Sequence, residues 1–441
     1  MSNLKLKLVL IFTFVLIMSA QTFAQEKLSL TIEHAIETGL QNSKSLHASL
    51  MKVKSAEAKV KEINAMRLPS LKLSAGYRRL SEVDPFTVTV PGMGSFSISP
   101  AIFNNYSAQL TLFQPVFTGF RLAGSSEMTE QLSNATNEEY NKDKIDLIFN
   151  IKNSYWGLFK ANQFKKVMDE IVDQIKAHVA DAKNLEKAGM MTTNDILKLE
   201  VQLSNTMYQQ VDAENAVKLA TVALCNTLGI SLDTKIDITS SVNMTSAQFD
   251  NLNKLVSDAV SKRAEIKAAD SRVKASEAGV TIAKSSWYPQ ISIMGNYYYS
   301  RPNQRIMPTR DQFDATWDVG VNLSMNVWDW LTTKHQTDQA ETQLSQAVDA
   351  MGMIKDGITL EVTQNYLSFS QAKRKINISE LTVKQAEENM RITSDKFKNG
   401  LALSSDVVDA ETSLLTAKVN HTNSIVDYEL AKAKLDKSIG K

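Results

Sequence analysis

Side chains that could act as nucleophiles, bases or metal ligands are few in this sequence and widely separated. The 441 residues include five histidines and a single cysteine, Cys225. No two histidines have the His-Glu-x-x-His spacing of a zinc helix, and no Gly-rich phosphate loop or Gly-x-Ser-x-Gly elbow is present. We therefore expect neither an enzyme nor a resident cofactor or metal ion.

Two similar segments combine glycine, hydroxyl and carboxylate side chains at matching positions. They are residues 187–197 and 398–411, which we call the helical tips. Gly189 and Gly400 suit the left-handed residue that ends a helix. Each tip is therefore predicted to be a tight turn between two helices.

The residues that follow each glycine have the chemistry of a helix start. Thr193 and Ser404 suit the N-cap, where a hydroxyl oxygen accepts a backbone N–H. Asp195 and Asp406 would then lie in the first turn, where the helix dipole favours a carboxylate. This structural role is sufficient to explain these residue types at the tips.

The tips belong to two copies of one sequence unit. Several residues between 48 and 77 recur 220 positions later, and several between 155 and 229 recur 211 positions later. The two shifts differ by nine residues, and this difference in length is confined to the segment between residues 77 and 106 of the first copy. A length difference confined to one segment is typical of a surface loop. Glu200 and Glu411 occupy equivalent positions, and we interpret both as charged residues paired on helix surfaces.

The elements that must position the tips are long helices. All eight prolines lie in or beside residues 69–115 and 289–308, and a proline inside a helix costs about 3 kcal/mol. A helix of about 68 residues is about 100 Å long and must pack beside others in a bundle or tube. The predicted helices are 31–66, 119–187, 193–228, 251–286, 330–398 and 404–439.

Between these helices, four segments alternate apolar and polar side chains as strands do. They lie at about 70–80, 106–116, 290–300 and 317–328. One interpretation is an antiparallel sheet whose apolar face covers a soluble core. The other is a membrane β-barrel, which is favoured by aromatic residues at both ends of the apolar band. These aromatic residues are Trp287, Tyr288, Tyr297, Tyr298, Tyr299, Trp317, Trp328 and Trp330.

Four strands cannot close a barrel, and lipid does not tolerate open sheet edges. Two copies of the chain would supply eight strands, and side chains fill the interior of an eight-stranded barrel. Three copies would supply twelve, so we expect a homotrimer that shares one 12-stranded barrel. The longer exterior loops would be residues 82–105 and 300–316.

The N-terminus has the three-part pattern of a secretory signal peptide. Lys5 and Lys7 precede an apolar run, and small residues end at Ala24, so residues 1–24 are predicted to be cleaved. The remainder divides into a first repeat at 25–230, a linker at 231–250 and a second repeat at 251–441. With 49 basic and 48 acidic residues, net charge gives no support to a nucleic-acid partner.

The sequence resembles the TolC-like outer-membrane efflux protein family. The resemblance rests on the duplicated unit, the strand pairs and the two tips. The resemblance covers nearly all of the chain after Ala24. It implies a mainly α protein with a membrane β-barrel, built from two repeats of helix, strand, strand, long helix and helix. A trimer of this kind forms a barrel in outer-membrane lipid and a long α-helical tunnel through the periplasm.

The resemblance also implies roles for residues at the tips. Gly189, Met190, Gly400 and Leu401 match positions that dock a periplasmic membrane-fusion adaptor. The matching mouth is narrowed by carboxylates at the start of the last helix. Asp406 and Asp409 fit that pattern and would form a gate ring.

The sequence departs from the best-known family members at one feature of the mouth. Those members latch it with Tyr and Arg, where this chain has Phe397 and Ala402. The resemblance therefore does not extend to a polar latch.

The function so implied is the outer-membrane channel of a tripartite efflux system. It would passively conduct small molecules, with energy supplied by an inner-membrane pump of the RND or ABC type. Two alternatives stay open: the exit duct of a type I protein secretion system, and a periplasmic helical scaffold that conducts nothing.

Overall fold

The computed structural model describes residues 28–82, 84–99, 101–239 and 249–441. The predicted signal peptide and part of the predicted linker lie outside the described residues, so both stay predictions. The described chain divides into two compact units. Unit 1 comprises residues 28–48, 141–263 and 357–441, and unit 2 comprises residues 49–140 and 264–356, each with the gaps given above.

Eight helices account for most of the described chain. Two of them have 67 residues each, which is the length that the proline-free segments predict. In chain order the helices are α1 (Ile32–Asn42), α2 (Lys44–Ala65), α3 (Arg121–Lys187), α4 (Thr193–Leu228), α5 (Leu252–Lys262), α6 (Ala264–Lys284), α7 (Thr332–Lys398) and α8 (Ser404–Ser438).

The predicted helices 31–66 and 251–286 are each two helices, and this part of the prediction is wrong. The breaks lie at Ser43 and Arg263, which have extended ψ values of 113° and 138°. These residues are 220 positions apart, so the break recurs in both repeats. Ser43 Oγ accepts the N–H of Leu46 over 3.2 Å and caps α2. The buried Arg263 binds Glu361 and the Ser438 carbonyl instead.

A four-stranded antiparallel sheet forms the centre of unit 2. The strands of unit 2 are β2 (Ser70–Arg79), β3 (Phe86–Val90), β4 (Gly94–Ser99), β5 (Asn104–Thr118), β7 (Gln290–Arg301) and β8 (Asp314–Ser324). The order of strands in the sheet is β2-β5-β7-β8, so β2 and β8 are its edges. The predicted loop 82–105 contains a further hairpin, β3–β4, in place of an irregular segment.

Unit 1 contains two short strands that the sequence analysis did not predict. The strand β1 (Leu28–Leu30) pairs in parallel with β6 (Ile236–Ile238). Tyr155, which is fully buried, donates its hydroxyl to the Leu30 carbonyl over 3.1 Å and fixes β1 against α3. Cys225 of α4 is also buried, and burial raises the pKa of its thiol.

The core that supports the helical tips lies at the other end of the unit 1 helices. It is formed by apolar residues of α3, α4, α7 and α8. Its fully buried members are Met168, Ile175, Ala182, Leu199, Ala213, Phe397 and Val407. No described helix is long and apolar enough to cross a membrane.

Candidate functional site

Both helical tips end their first helix with the same backbone motif. Gly189 has φ 74° and Gly400 has φ 72°, a conformation that glycine adopts without a Cβ penalty. The N–H groups of Gly189 and Met190 donate to carbonyls three and five residues earlier, over 2.8 and 2.9 Å. Those of Gly400 and Leu401 do the same over 2.9 and 2.8 Å. These paired bonds satisfy the last carbonyls of α3 and α7, as predicted for both glycines.

The N-caps of α4 and α8 lie one residue before the predicted positions. Thr192 is the N-cap of α4, and its hydroxyl oxygen accepts the Asp195 N–H over 3.3 Å. Leu403 is the N-cap of α8 and has no hydroxyl to offer. The prediction of Thr193 and Ser404 as caps is therefore wrong by one position, because both residues already begin their helices.

The two tips of one chain lie against each other. A Cβ added at Gly400 would lie 2.9 Å from Met190 Cε. Ser404 Oγ donates to Asp195 Oδ1 over 3.3 Å and joins the starts of α8 and α4. Hydrogen bonds from Thr192, Lys198 and Ser404 lower the pKa of Asp195. The tips of each chain thus form one continuous surface.

That surface is apolar at three positions that face solvent. Met190 is 60 % exposed, Leu401 is 78 % exposed and Leu403 is 67 % exposed. Single exposed apolar residues are common, but a cluster of them marks a contact site. Leu403 was not among the residues that the sequence predicted for this site. Its signal was an apolar residue at an N-cap, because that position favours Ser, Thr, Asp or Asn.

Asp406 and Asp409 lie one turn apart on α8, and both are exposed. Asp406 Oδ2 accepts the Leu403 N–H over 2.9 Å. Among the described residues, no Lys, Arg or His forms a salt bridge with either carboxylate. The start of α8 therefore presents two negative charges that its own chain does not neutralise.

A polar cluster lies buried in the core below the tips. Gln174 and His178 are one turn apart on α3, and Glu411 on α8 is 1 % exposed. The distance from His178 Nε2 to Glu411 Oε1 is 3.6 Å, which is too long for a hydrogen bond. Gln174 Oε1, His178 Nδ1 and both Glu411 oxygens are the buried side-chain atoms without a hydrogen-bond partner in the described chain.

Burial sets the protonation of this cluster. It raises the pKa of Glu411 to about 8. It also lowers the pKa of His178, an effect that Asp181 opposes and Lys398 reinforces. The interpretation of Glu411 as a surface residue is therefore wrong, whereas its counterpart Glu200 does pair with Lys183, over 2.8 Å.

Apolar residues occupy the two positions at which the resemblance would place a polar latch. Phe397 is fully buried, and its ring meets the His178 ring edge to face at 6.1 Å. Ala402 packs partly buried against the same core. Within the residues that the structure describes, no group of His, Cys, Asp or Glu could hold a metal ion.

On unit 2, one face of the four-stranded sheet is apolar and open to solvent. The exposed residues alternate along both edge strands, and each is more than half exposed: Leu71, Leu73, Tyr77, Trp317, Val319, Val321 and Leu323. The opposite face carries a polar network in which Gln109, Thr111 and Asp318 all bond to the Asn296 side chain. This division matches a sheet with lipid on one side and water on the other.

Long helices that end in tight tips, together with a sheet that exposes an apolar face, are the features expected of a channel protein of the outer membrane. The chain belongs to the outer membrane efflux protein family, which it matches over residues 35–230 and 255–441. It is accordingly an efflux channel of the outer membrane that extends into the periplasm.

Individual relatives are distant in sequence but similar over long stretches. The outer membrane protein TolC of Vibrio cholerae is 20 % identical over 72 % of this chain and 72 % of its own. The solvent efflux pump outer membrane protein SrpC of Pseudomonas putida is 20 % identical, over 92 % and 84 %. The crystal structure of VceC from Vibrio cholerae superposes with a TM-score of 0.75 at 18 % identity, over 93 % and 96 %.

Proposed function

We propose that three copies of the chain assemble into one channel that passively conducts small molecules from the periplasm to the exterior. The observation that carries this proposal is the pair of free sheet edges. Each neighbouring pair in the order β2-β5-β7-β8 is antiparallel, so β2 and β8 run in opposite directions. The β8 of one copy can therefore pair with the β2 of the next and keep the alternation, and three copies close twelve strands.

The exposed apolar face supports a membrane location for this barrel. An apolar face that covers a soluble core would be buried, whereas here both edge strands expose theirs. Lipid would cover this face, and pairing between copies would satisfy the backbone of the edges.

Exposed apolar seams on the unit 1 helices support the same assembly. Residues of α4 and α7 recur near the heptad spacing of a coiled-coil contact. They are Leu197, Val201, Tyr208, Val211 and Val222 on α4, and Leu360, Leu367, Ile378 and Leu381 on α7. Packing of these seams between copies would extend the barrel as a helical tunnel.

The helical tips would form the periplasmic mouth. We infer that Gly189, Met190, Gly400 and Leu401 dock a periplasmic membrane-fusion adaptor, whose partner pump is of the RND or ABC type. The chain would contribute no reaction of its own, since energy comes from the pump. Small-molecule cargo is supported by the similarity to a relative named as a solvent efflux pump component.

Cross-linking of the purified, detergent-solubilised protein tests the assembly. We expect the ladder of cross-linked species to end at three subunits, and the protein to aggregate when detergent is removed. A folded monomer that stays soluble without detergent would rule out the shared barrel and favour the helical scaffold. Drug susceptibility of a deletion strain, compared with its secreted proteins, separates efflux from the protein-secretion alternative.

A further inference from the structure

The loop between β7 and β8 folds onto the polar face of the sheet. Asn303, which is 3 % exposed, anchors it. Its Nδ2 donates to the Asp314 carbonyl over 3.1 Å and to Thr316 Oγ1 over 3.2 Å. Its Oδ1 accepts the Arg305 N–H over 3.0 Å. The loop is therefore held in one place by a buried side chain.

This anchor places Arg305 over the polar face. Its guanidinium carbon lies 4.1 Å from the centroid of the Tyr298 ring. Its Nη2 donates to Asp318 Oδ2 over 2.5 Å. A guanidinium has five N–H donors in a rigid planar fork, so these two contacts fix Arg305 and leave donors for a further acceptor.

A cavity of about 430 Å³ opens between this loop and strands β2, β5 and β7. Its floor belongs to the polar face, since Gly76, Ser107 and Tyr298 line it. The charged residues among its lining are Arg78 and Arg305, and no acidic side chain lines it. Arg78 forms no salt bridge with any described residue, so one of the two cations is not neutralised.

We propose that this cavity binds a small organic anion through the guanidinium groups of Arg78 and Arg305. The inference rests on the proposed function for its location, because the polar face lines the lumen only in a closed barrel. The volume falls within the range of small-molecule sites. Paired guanidinium forks match the planar geometry of a carboxylate. The site would hold such an acid at the loop end of the barrel.

Strand alternation provides a matched control. Arg78 and Arg79 are neighbours on β2, so their side chains project to opposite faces. Arg79 Nη1 donates to Asn104 Oδ1 over 3.2 Å, and Arg79 does not line the cavity. R78Q and R79Q therefore remove the same charge from the same strand, but R78Q alone removes it from the site.

The test is calorimetric titration of the detergent-solubilised protein with benzoate, and with benzyl alcohol as an uncharged analogue. We expect benzoate to bind the wild type and R79Q equally, and to bind R78Q and R305Q at least about tenfold more weakly. Benzyl alcohol should bind none of them measurably. R305Q removes a loop contact as well, so R78Q is the decisive variant.

Benzoate that fails to bind the wild type, or that binds R78Q and R79Q equally, would overturn the proposal. Channel conductance of the wild type is measured in parallel. If the wild type conducts nothing but the binding pattern holds, the conduit function fails and the anion site stands. If the wild type conducts but binds no benzoate, the anion site fails and the conduit function stands.

Discussion

Glu411 carries a carboxyl group in a core where neither of its oxygens accepts a hydrogen bond. An isolated buried charge is expensive, and the group avoids that cost by keeping its proton. Its folded-state pKa of about 8 is above its ordinary value, so the stability that it contributes is fully present in acid. This stability is lost as the pH rises through about 8. The lowered pKa of His178 has the opposite effect on stability, because the stability that His178 contributes is lost as the pH falls.

Glu411→Gln removes one of these two contributions and leaves the other. The amide has nearly the shape of the protonated carboxyl group and cannot ionise. We expect the thermal midpoint of Glu411→Gln, relative to wild type, to rise between about pH 5 and pH 8 and to level off above it. The measurement is thermal unfolding of the detergent-solubilised protein across this range.

The control for this prediction is the equivalent position of the first repeat. Glu200 is paired with Lys183 and is not buried, so Glu200→Gln should show no such rise. A difference between Glu411→Gln and wild type that stays constant with pH would contradict the proposed protonation. An equal rise in both variants would do so too.

At the level of elements, the sequence predicts what local chemistry determines. Proline placement and apolar spacing are sufficient for the 67-residue helices, and each tip glycine has the predicted left-handed φ. The breaks at Ser43 and Arg263 could not be predicted in this way, because neither site has a proline or glycine. Arg263 ends its helix through contacts with residues about 100 and 175 positions away. The β3–β4 hairpin did leave a signal, since Phe86, Val88 and Val90 alternate before a Pro-Gly turn.

The same distinction applies to the candidate site. The turn residues follow from helix-capping chemistry, but the burial of Glu411 does not. Glu200 has the equivalent position and the same residue type, yet it is only partly buried and is paired with Lys183. The neighbours that helix packing brings to each position decide the difference, and these neighbours are distant in sequence.

The two tip glycines offer a measurement of the contact between tips. Gly189 and Gly400 have nearly the same φ, so an alanine at either position costs about 1–2 kcal/mol for the left-handed conformation. Only at Gly400 would the new Cβ also meet Met190. Met190 Cε is the end of a flexible side chain that is 60 % exposed and can turn away from the new methyl group, so we expect Gly400→Ala and Gly189→Ala to lower the thermal midpoint by nearly equal amounts.

Met190→Ala in the Gly400→Ala background checks this explanation. If Met190 turns aside in this way, shortening its side chain should leave the effect of Gly400→Ala on the thermal midpoint unchanged. A larger effect of Gly400→Ala than of Gly189→Ala, removed by Met190→Ala, would show instead that the two tips press on each other.

At the scale of the whole molecule, assembly changes what the two tip carboxylates do. On one chain Asp406 and Asp409 are exposed carboxylates one turn apart on α8. Three copies around one axis would bring three of each to the mouth, where like charges focus a negative potential on the pathway. Such a ring favours the passage of cations over anions.

Changing both carboxylates to Asn should therefore bring the cation-to-anion permeability ratio closer to one. The reversal potential across a planar bilayer in a KCl gradient measures this ratio. Asp406 also accepts the Leu403 N–H, and the Asn carbonyl can retain that bond, so the tip should stay folded. Glu388→Gln, which removes one exposed negative charge on α7 beside Arg391, is the control and should leave the ratio unchanged. A ratio that is unaffected by the double change would remove Asp406 and Asp409 from the mouth, whatever the number of subunits.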